Sequence, residues 1–250
     1  MSNLKNKTQA VRNFLSKVTE LKCCKKLDYN VDCCGNNRVA FIVANPYYEC
    51  YRLKLGDPCC NDANLIAEFY RDHGYKCFGI IDPTKEEFLM YLNHFTSRSD
   101  IHDLIVYYAG HGGSIPDRSF KYVNGKCVAC EKDEEDGRDE TWVFKNGDLV
   151  DDEVREIWDN NKCGNILVIS DSCHSGSVVE TSKNNVSSFC GCKDSQTSLQ
   201  LQRNGIFTYF LMDYAKKNTV LKSLQVTVNK KLNDYGQNCV LTGNRERLVM

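Results

Sequence analysis

Two reactive side chains in this sequence stand at matching places. Asp103–Gly112 reads D-L-I-V-Y-Y-A-G-H-G, and Asn165–Gly176 reads N-I-L-V-I-S-D-S-C-H-S-G. In both, an apolar run rich in Val and Ile stops at small residues and one reactive group: His111 in the first, Cys173 in the second. A run of that length, apolar on both faces, predicts a strand buried in a helix-covered parallel sheet. Chemistry in such sheets gathers beyond the carboxyl ends of the strands. If the two strands are neighbours, a thiol and an imidazole distant in sequence face one crevice. That is the apparatus of a cysteine nucleophile activated by a histidine.

Taken singly, neither residue says much. A lone Cys is commonly an inert small hydrophobe, and a lone His at a strand end is commonly a hydrogen-bonded structural group. The pair says more, because both sit at the same structural punctuation. Gly110 and Gly112 flank His111 and allow a close backbone approach, while Ser172, Ser175 and Gly176 keep the surroundings of Cys173 small. The thiolate is the attacking form, so Cys173 needs a neighbour to take its proton. His111 fits that part, as base during acylation and as acid toward the leaving amine. Backbone N–H groups of Gly112 and Cys173 are the natural donors to the oxyanion. Asp171, two residues before Cys173, is expected on the same side of the strand. His174 is expected on the other, packed or hydrogen-bonded. No phosphate loop and no G-x-S-x-G elbow competes with this reading.

The elements that must position this pair alternate. Val39–Ala44 reads as a first strand. Asn61 or Asp62 is expected to start a helix whose Ala63, Ile66, Phe69 and Tyr70 face the sheet, stopped by Gly74. Lys76–Ile81 reads as a second strand. Thr84 with Glu87 is a capping-box pattern opening a helix through Phe95. Ser114–Gly147 reads as a polar, charged insertion. Asp151 opens a helix carrying Val154, Ile157 and Trp158, and Ser177–Asn204 reads as a polar loop. Helices over about Phe207–Lys217 and Leu221–Leu232 and a short strand near Cys239–Thr242 complete the pattern. Strand–helix alternation of this kind implies an α/β fold with a mainly parallel central sheet and helices on both faces. Residues 8–27 place Val11, Phe14, Leu15, Val18 and Leu21 at helical spacing, so a short amphipathic helix is expected ahead of the domain.

The motifs Y-A-G-H-G and D-S-C-H-S-G resemble the His and Cys motifs of the metacaspases, caspase-fold peptidases. The resemblance runs from about Arg38 to the C-terminus. It takes in V-A-F-I-V-A-N-P-Y, G-D-P-C-C-N-D-A, D-G-R-D-E and G-D-L-V-D-D-E-V, in the family's order. It implies a caspase-like domain over 38–250, behind an extension at 1–37. Within it are a His/Cys part at 38–180, the polar loop at 177–204 and a small C-terminal part at 205–250. It implies a cysteine endopeptidase acting on protein or peptide substrates through a Cys–His dyad and a thioester. Asp62 would line the substrate pocket with Asp171, and two carboxylates in a concave site attract Arg or Lys, Arg most of all. The competing reading of Asp62 is a favourable charge in a helix first turn. Ala109 stands where the family commonly has Ser, which removes one pocket hydroxyl. A second acidic group, Asp139, Asp151, Asp152 and Glu180, resembles the family's calcium site, with Glu180 in place of the usual Asp. Calcium takes about six to eight oxygen ligands, which suits such a set better than magnesium. Asp151 also reads as a helix N-cap, and Asp139 as a solvated charge in the acidic run Glu131–Glu140.

Composition bounds the rest. A 250-residue chain with 42% hydrophobic and 26% charged residues suits one globular enzyme domain. A formal net charge of -1 gives no electrostatic case for nucleic acid or anionic membrane. No apolar stretch approaches the roughly 18 residues of a spanning helix, and the N-terminus lacks a signal-peptide core. A cytosolic monomer is expected, or one reaching the nucleus by passive entry. The 15 cysteines then act as core residues and surface thiols rather than disulfides. Cys127 and Cys130 with Cys190 and Cys192 could offer four thiolates to zinc, but only one half has knuckle spacing, so zinc is not expected. The doublets Cys23-Cys24 and Cys33-Cys34 have no recognisable ligand spacing. The main rival reading is an idle caspase-like scaffold acting through protein–protein contacts of residues 1–37.

Overall fold

Runs that are apolar on both faces become the middle of one sheet. The computed structural model describes residues 37–250 except 48, 117–119, 124–125, 130–136 and 217. The helix expected over 8–27 and the two cysteine doublets lie outside the described residues. Strand β3 (Asp103–Ala109) lies parallel to β9 (Asn165–Asp171), with Asp103 opposite Asn165 and Ala109 opposite Asp171. The two strands therefore end level, and the chain beyond each end carries its reactive residue. On the far side of β3 come β1 (Arg38–Ala44) and β2 (Lys76–Ile81), both parallel to it. On the far side of β9 come β10 (Val186–Cys190), parallel, and β11 (Val240–Thr242), antiparallel. The order across the six strands is β11-β10-β9-β3-β1-β2.

Helices cover both faces, as the alternation demands. Consecutive residues of β3 show this, since Tyr107 and Tyr108 point to opposite sides. The Tyr107 hydroxyl meets Thr208 Oγ1 at 2.9 Å on helix α4 (Ile206–Tyr214), whereas Tyr108 stacks on Trp142 at 5.0 Å on the other face. On that second face Phe41 of β1 packs on Phe88, Tyr91 and Phe95 of helix α2 (Lys85–Thr96). Helix α2 opens with the expected box: the Glu87 N–H donates to Thr84 Oγ1 at 3.1 Å, and the Thr84 N–H donates to the Glu87 carboxylate at 2.8 Å. Helix α3 (Asp151–Asp159) carries the buried Val154 and Trp158, and α5 (Leu221–Leu232) packs beside α4.

Three expectations need correction. Helix α1 (Asp57–Asp72) starts several residues before Asn61, because Pro58 suits a helix first turn and Gly56 precedes it with φ +79. Asp62 thus sits inside the helix, and its reading as a first-turn charge falls away. The supposed loop at 177–204 contains β10, all five residues of which are buried. Its serines hid it, yet they are answered across the edge: Ser188 Oγ meets Thr242 Oγ1 at 2.7 Å, and Ser187 Oγ accepts the Asn244 N–H at 3.0 Å. The polar insertion likewise holds strands β4 (Gly112–Pro116), β5 (Phe120–Val123), β6 (Lys126–Ala129) and β7 (Arg138–Phe144), followed by β8 (Gly147–Val150). β4, β7 and β8 form an antiparallel sheet, and β5 pairs with β6. Among the described residues no helix is long and apolar enough to cross a membrane.

Candidate active site

Beyond the level ends of β3 and β9 the chain turns through small residues. His111 follows β3 by two residues and opens into β4. Cys173 follows β9 by two and precedes a sharp turn, in which His174 takes φ +48. His174 therefore leaves the cleft through a turn rather than by strand alternation. Its ring bonds the Asp194 carbonyl, and its N–H donates to Gln196 O at 3.1 Å. The two reactive segments touch through glycine: a Cβ on Gly112 would lie 2.0 Å from the Cys173 carbonyl oxygen. Only glycine permits that approach.

One cleft of about 120 Å³ gathers Asp62, Ala109, Gly110, His111, Asp171 and Cys173, together with Cys59, Ser198 and Gly205. The sequence-derived dyad and both pocket carboxylates thus line one cleft, and Gly112, the second oxyanion candidate, abuts Cys173.

His111 is held from three sides. Its Nε2 lies 2.8 Å from the Leu53 carbonyl. A carbonyl only accepts, so in the neutral ring Nε2 carries the proton and Nδ1 keeps the lone pair. The ring stacks on Tyr47 with centroids 5.2 Å apart. The His111 N–H donates to the Tyr47 hydroxyl at 3.0 Å, and that hydroxyl donates to Val143 O at 2.6 Å. Burial pushes the Tyr47 phenol well above its ordinary range, so it stays protonated.

Cys173 is half-buried, and its sulfur accepts the Ser198 N–H at 3.2 Å rather than a bond from His111. Burial pushes its thiol up; the Ser198 N–H opposes this and the Asp171 charge adds to it. At rest the sulfur is therefore a thiol that needs a base.

The two pocket carboxylates are buried and close to one another. Asp62 accepts from Asn204 Nδ2 at 2.7 Å and from the Gly205 N–H at 2.9 Å. Asp171 accepts from Ser198 Oγ at 2.7 Å, Thr208 Oγ1 at 2.7 Å and the Thr208 N–H at 3.1 Å. Gly205 allows this crowding, since a Cβ there would lie 2.3 Å from Asp171 Oδ2. Burial raises both groups, and Asp62 is raised further by repulsion from Asp171. All the donors are neutral, and no Lys or Arg is among the described lining residues.

The four candidate calcium ligands lie toward a second corner. Asp139, Asp151 and Asp152 are buried. Asp151 is not the N-cap of α3, which is Val150. Its carboxylate accepts the Glu140 and Asp152 N–H groups, each at 2.9 Å. Burial pushes Asp151 up to about 8 despite those bonds, with Glu180 and Glu140 adding repulsion. Arg155 lies 3.4 Å from Glu180 and 4.0 Å from Asp152. The donors are all oxygens, the chemistry a hard cation wants. Among the described residues, however, no three His, Cys, Asp or Glu side chains are grouped closely enough to hold an ion. The donor type suits a hard cation, but the carboxylates are not gathered around a common point, and Arg155 supplies positive charge there. Beside this corner lies a roomier hollow of about 740 Å³, lined in part by Arg155, Glu180, Lys183 and Asn244. Of the four cysteines that a zinc site would need, Cys190 and Cys192 are buried; the Cys192 thiol lies 3.1 Å from Ser172 O, while Cys130 lies outside the described residues.

Sequence reading missed Leu53, Ser198, Asn204, Gly205 and Thr208. Leu53 takes part through a backbone carbonyl, which no side chain announces. Ser198 and Asn204 come from the stretch whose polarity reads as solvation, Gly205 follows it and Thr208 sits in α4, yet all four are turned onto the two aspartates.

Comparison with known proteins bears on family and fold. A family model described as the caspase domain, peptidase family C14, matches residues 37–246. The chain is 28% identical over 172 residues to Metacaspase-1 of Lodderomyces elongisporus, covering 61% of this chain and 36% of that protein. It is 26% identical over 175 residues to Metacaspase-1 of Eremothecium gossypii, covering 62% and 36%. It thus spans little more than a third of the length of these relatives. A protein of Geobacter sulfurreducens superposes with TM-score 0.61 at 20% identity, over 84% of this chain and 97% of the other. Caspase-1 from Spodoptera frugiperda superposes with TM-score 0.57 at 14% identity, over 83% and 86%. At those identities the likeness is one of fold. Since the domain match extends over most of its length, the chain belongs to the caspase-domain family of peptidases.

Proposed function

We propose that this chain is a cysteine endopeptidase of metacaspase type, hydrolysing peptide bonds after Arg or Lys in protein or peptide substrates. One observation carries the reading: a single cleft holds Cys173, His111 and two buried carboxylates, Asp62 and Asp171, with only neutral donors around them. His111 Nδ1 takes the Cys173 proton as sulfur attacks the scissile carbonyl. The N–H groups of Gly112 and Cys173 hold the tetrahedral oxyanion. Collapse breaks the C–N bond, the departing amine takes its proton from His111, and a thioester remains for water to hydrolyse. A substrate guanidinium or ammonium supplies the positive charge that Asp62 and Asp171 lack.

Calcium stimulation belongs to the same proposal. Asp139, Asp151, Asp152 and Glu180 would have to draw together to hold the ion, which would contribute charge neutralisation and order. Asp151 and Asp152 open the helix leading into β9, so order there reaches the Cys173 turn.

Lys183, Lys193 and Arg203 are exposed on the segments flanking β10. An enzyme selective for basic residues meets them at high effective concentration, which makes self-cleavage there part of the reading.

Fluorogenic peptides ending in Arg, Lys or Asp, with and without calcium, test the activity. Hydrolysis after Arg and Lys, faster with calcium, is expected. Preference for Asp would replace the specificity, and no hydrolysis under any condition would favour the idle scaffold. Mapping new termini in wild type and Cys173→Ala checks the second point; cuts after Lys183, Lys193 or Arg203 should occur in wild type alone.

A further inference from the structure

One residue touches both halves of this site. Ser198 follows Cys173 by 25 positions and Asp171 by 27, well outside either motif. Its N–H points at Cys173 Sγ at 3.2 Å, and its hydroxyl donates to Asp171 Oδ1 at 2.7 Å. The other oxygen, Oδ2, takes both Thr208 bonds, so the hydroxyl of Ser198 is the protein's anchor on Oδ1. The segment is fixed from behind as well. Gln237, only 1% exposed, accepts the Leu199 N–H at 2.9 Å, donates to Gly191 O at 2.6 Å and reaches Ser198 Oγ at 3.4 Å.

We infer that Ser198 is a further residue of the reaction centre: its N–H is the donor that holds the Cys173 thiolate, and its hydroxyl ties that donor to the carboxylate that recognises the substrate's basic side chain. The inference rests on the proposed peptidase reading for its second half only. An N–H bond to sulfur strengthens as the sulfur gains charge, so this donor favours the ionised nucleophile. It does so only while its direction is fixed, and the fixing bond is the one to Asp171. A cation arriving at Asp171 shares an oxygen with the Ser198 hydroxyl, so occupancy of the pocket and readiness of the sulfur become linked. The titratable groups around the sulfur are Asp171, Asp62, Cys59 and His111 in the cleft, with Cys192 behind the Ser172 carbonyl. Among the described residues none of them donates a hydrogen bond to Sγ, which leaves the position to Ser198.

The test compares wild type, Ser198→Ala and Ser198→Thr in the full chain. Alkylation by iodoacetamide is followed against pH and read at Cys173 by peptide mass spectrometry. In Ser198→Ala the profile should move to higher pH by about half a unit, roughly threefold slower reaction below the midpoint, for a loosened bond to a charged group. Ser198→Thr retains the hydroxyl and should restore the wild-type profile. With Arg peptides, kcat/KM should fall about tenfold in the Ala variant and recover in the Thr variant. A profile for Ser198→Ala that superimposes on wild type overturns the inference. Should that variant melt below the assay temperature, the same comparison on Ser198→Gly decides. If wild type cuts no basic peptide while the alkylation shift appears, the thiolate role stands and the peptidase reading fails. If wild type cuts Arg peptides and neither readout moves in the variant, the role of Ser198 fails alone.

Discussion

Two clusters of buried carboxylates sit in this domain, and they are answered in different ways. In the cleft, Asp62 and Asp171 are satisfied by neutral donors only: an amide, backbone N–H groups and hydroxyls. In the corner at α3, Asp152 and Glu180 share the guanidinium of Arg155. Hydrogen bonds satisfy lone pairs but leave a net charge buried, whereas a resident cation cancels it. The cleft is thus left short of positive charge, which is what the proposed preference for a basic side chain requires. The corner is already partly compensated, so an ion entering there competes with a side chain. Buried charge is costly wherever it occurs, and a fold keeps it uncompensated mainly where a ligand completes it.

The largest expected effect removes the chemistry and leaves the cleft charge alone. Cys173→Ala should abolish hydrolysis of Arg and Lys peptides and covalent labelling by an arginyl chloromethylketone, with the melting temperature little changed. Labelling that persists on another of the 15 cysteines would move the nucleophile elsewhere.

The cleft carboxylates come next, where function and stability should part company. Asp62→Asn or Asp171→Asn should lower kcat/KM on Arg peptides by about 100-fold, as loss of a charged partner does. Each should also raise the melting temperature near neutral pH. Both folded-state pKa values are raised, so the folded chain binds protons more readily than the unfolded chain. Their contribution to stability is therefore fully present below the unfolded pKa and is lost as pH rises through the folded one. Activity runs oppositely. Acidification through the raised pKa neutralises the cleft, so KM for Arg peptides should climb at a pH above the ordinary carboxylate range. A wild-type KM that is flat down to pH 4, or an Asn variant that melts earlier, would erase the contrast between cleft and corner.

What the sequence made legible follows the same physics. β3 and β9 announced themselves because burial on both faces demands uninterrupted apolar side chains, and the Thr84–Glu87 box because its spacing is local. His111 and Cys173 fall in one cleft because the two strands pair in register. β10 stayed hidden because Ser187 and Ser188 are satisfied by Asn244 and Thr242, more than fifty residues away, and a single sequence cannot display such pairings. β7 was masked by the acidic run before it, although Thr141–Phe144 has strand character. Asn61 and Asp62 look like the start of α1 because both residue types favour helix N-termini, but Pro58 fixes the first turn earlier. Ser198 and the Leu53 carbonyl gave no signal, since one sits in a polar stretch and the other contributes backbone alone.

The smallest effect tests the corner. Arg155 is partly exposed, and its bridges at 3.4 and 4.0 Å are long, so Arg155→Gln should cost under about 1 kcal/mol of stability. Its consequence for calcium should be larger and opposite in sense. Removing the guanidinium leaves Asp152 and Glu180 without their shared cation, and the repulsion already felt by Asp151 grows. An incoming divalent ion then no longer competes with that guanidinium. The calcium concentration for half-maximal activation should fall about threefold to tenfold, and calorimetry should report tighter binding. Magnesium should still fail to substitute, because its smaller shell demands stricter octahedral geometry. Were the calcium requirement to rise instead, Arg155 would be a support of the ion site and not its competitor. The two carboxylate clusters would then work alike, each completed only by what binds to it.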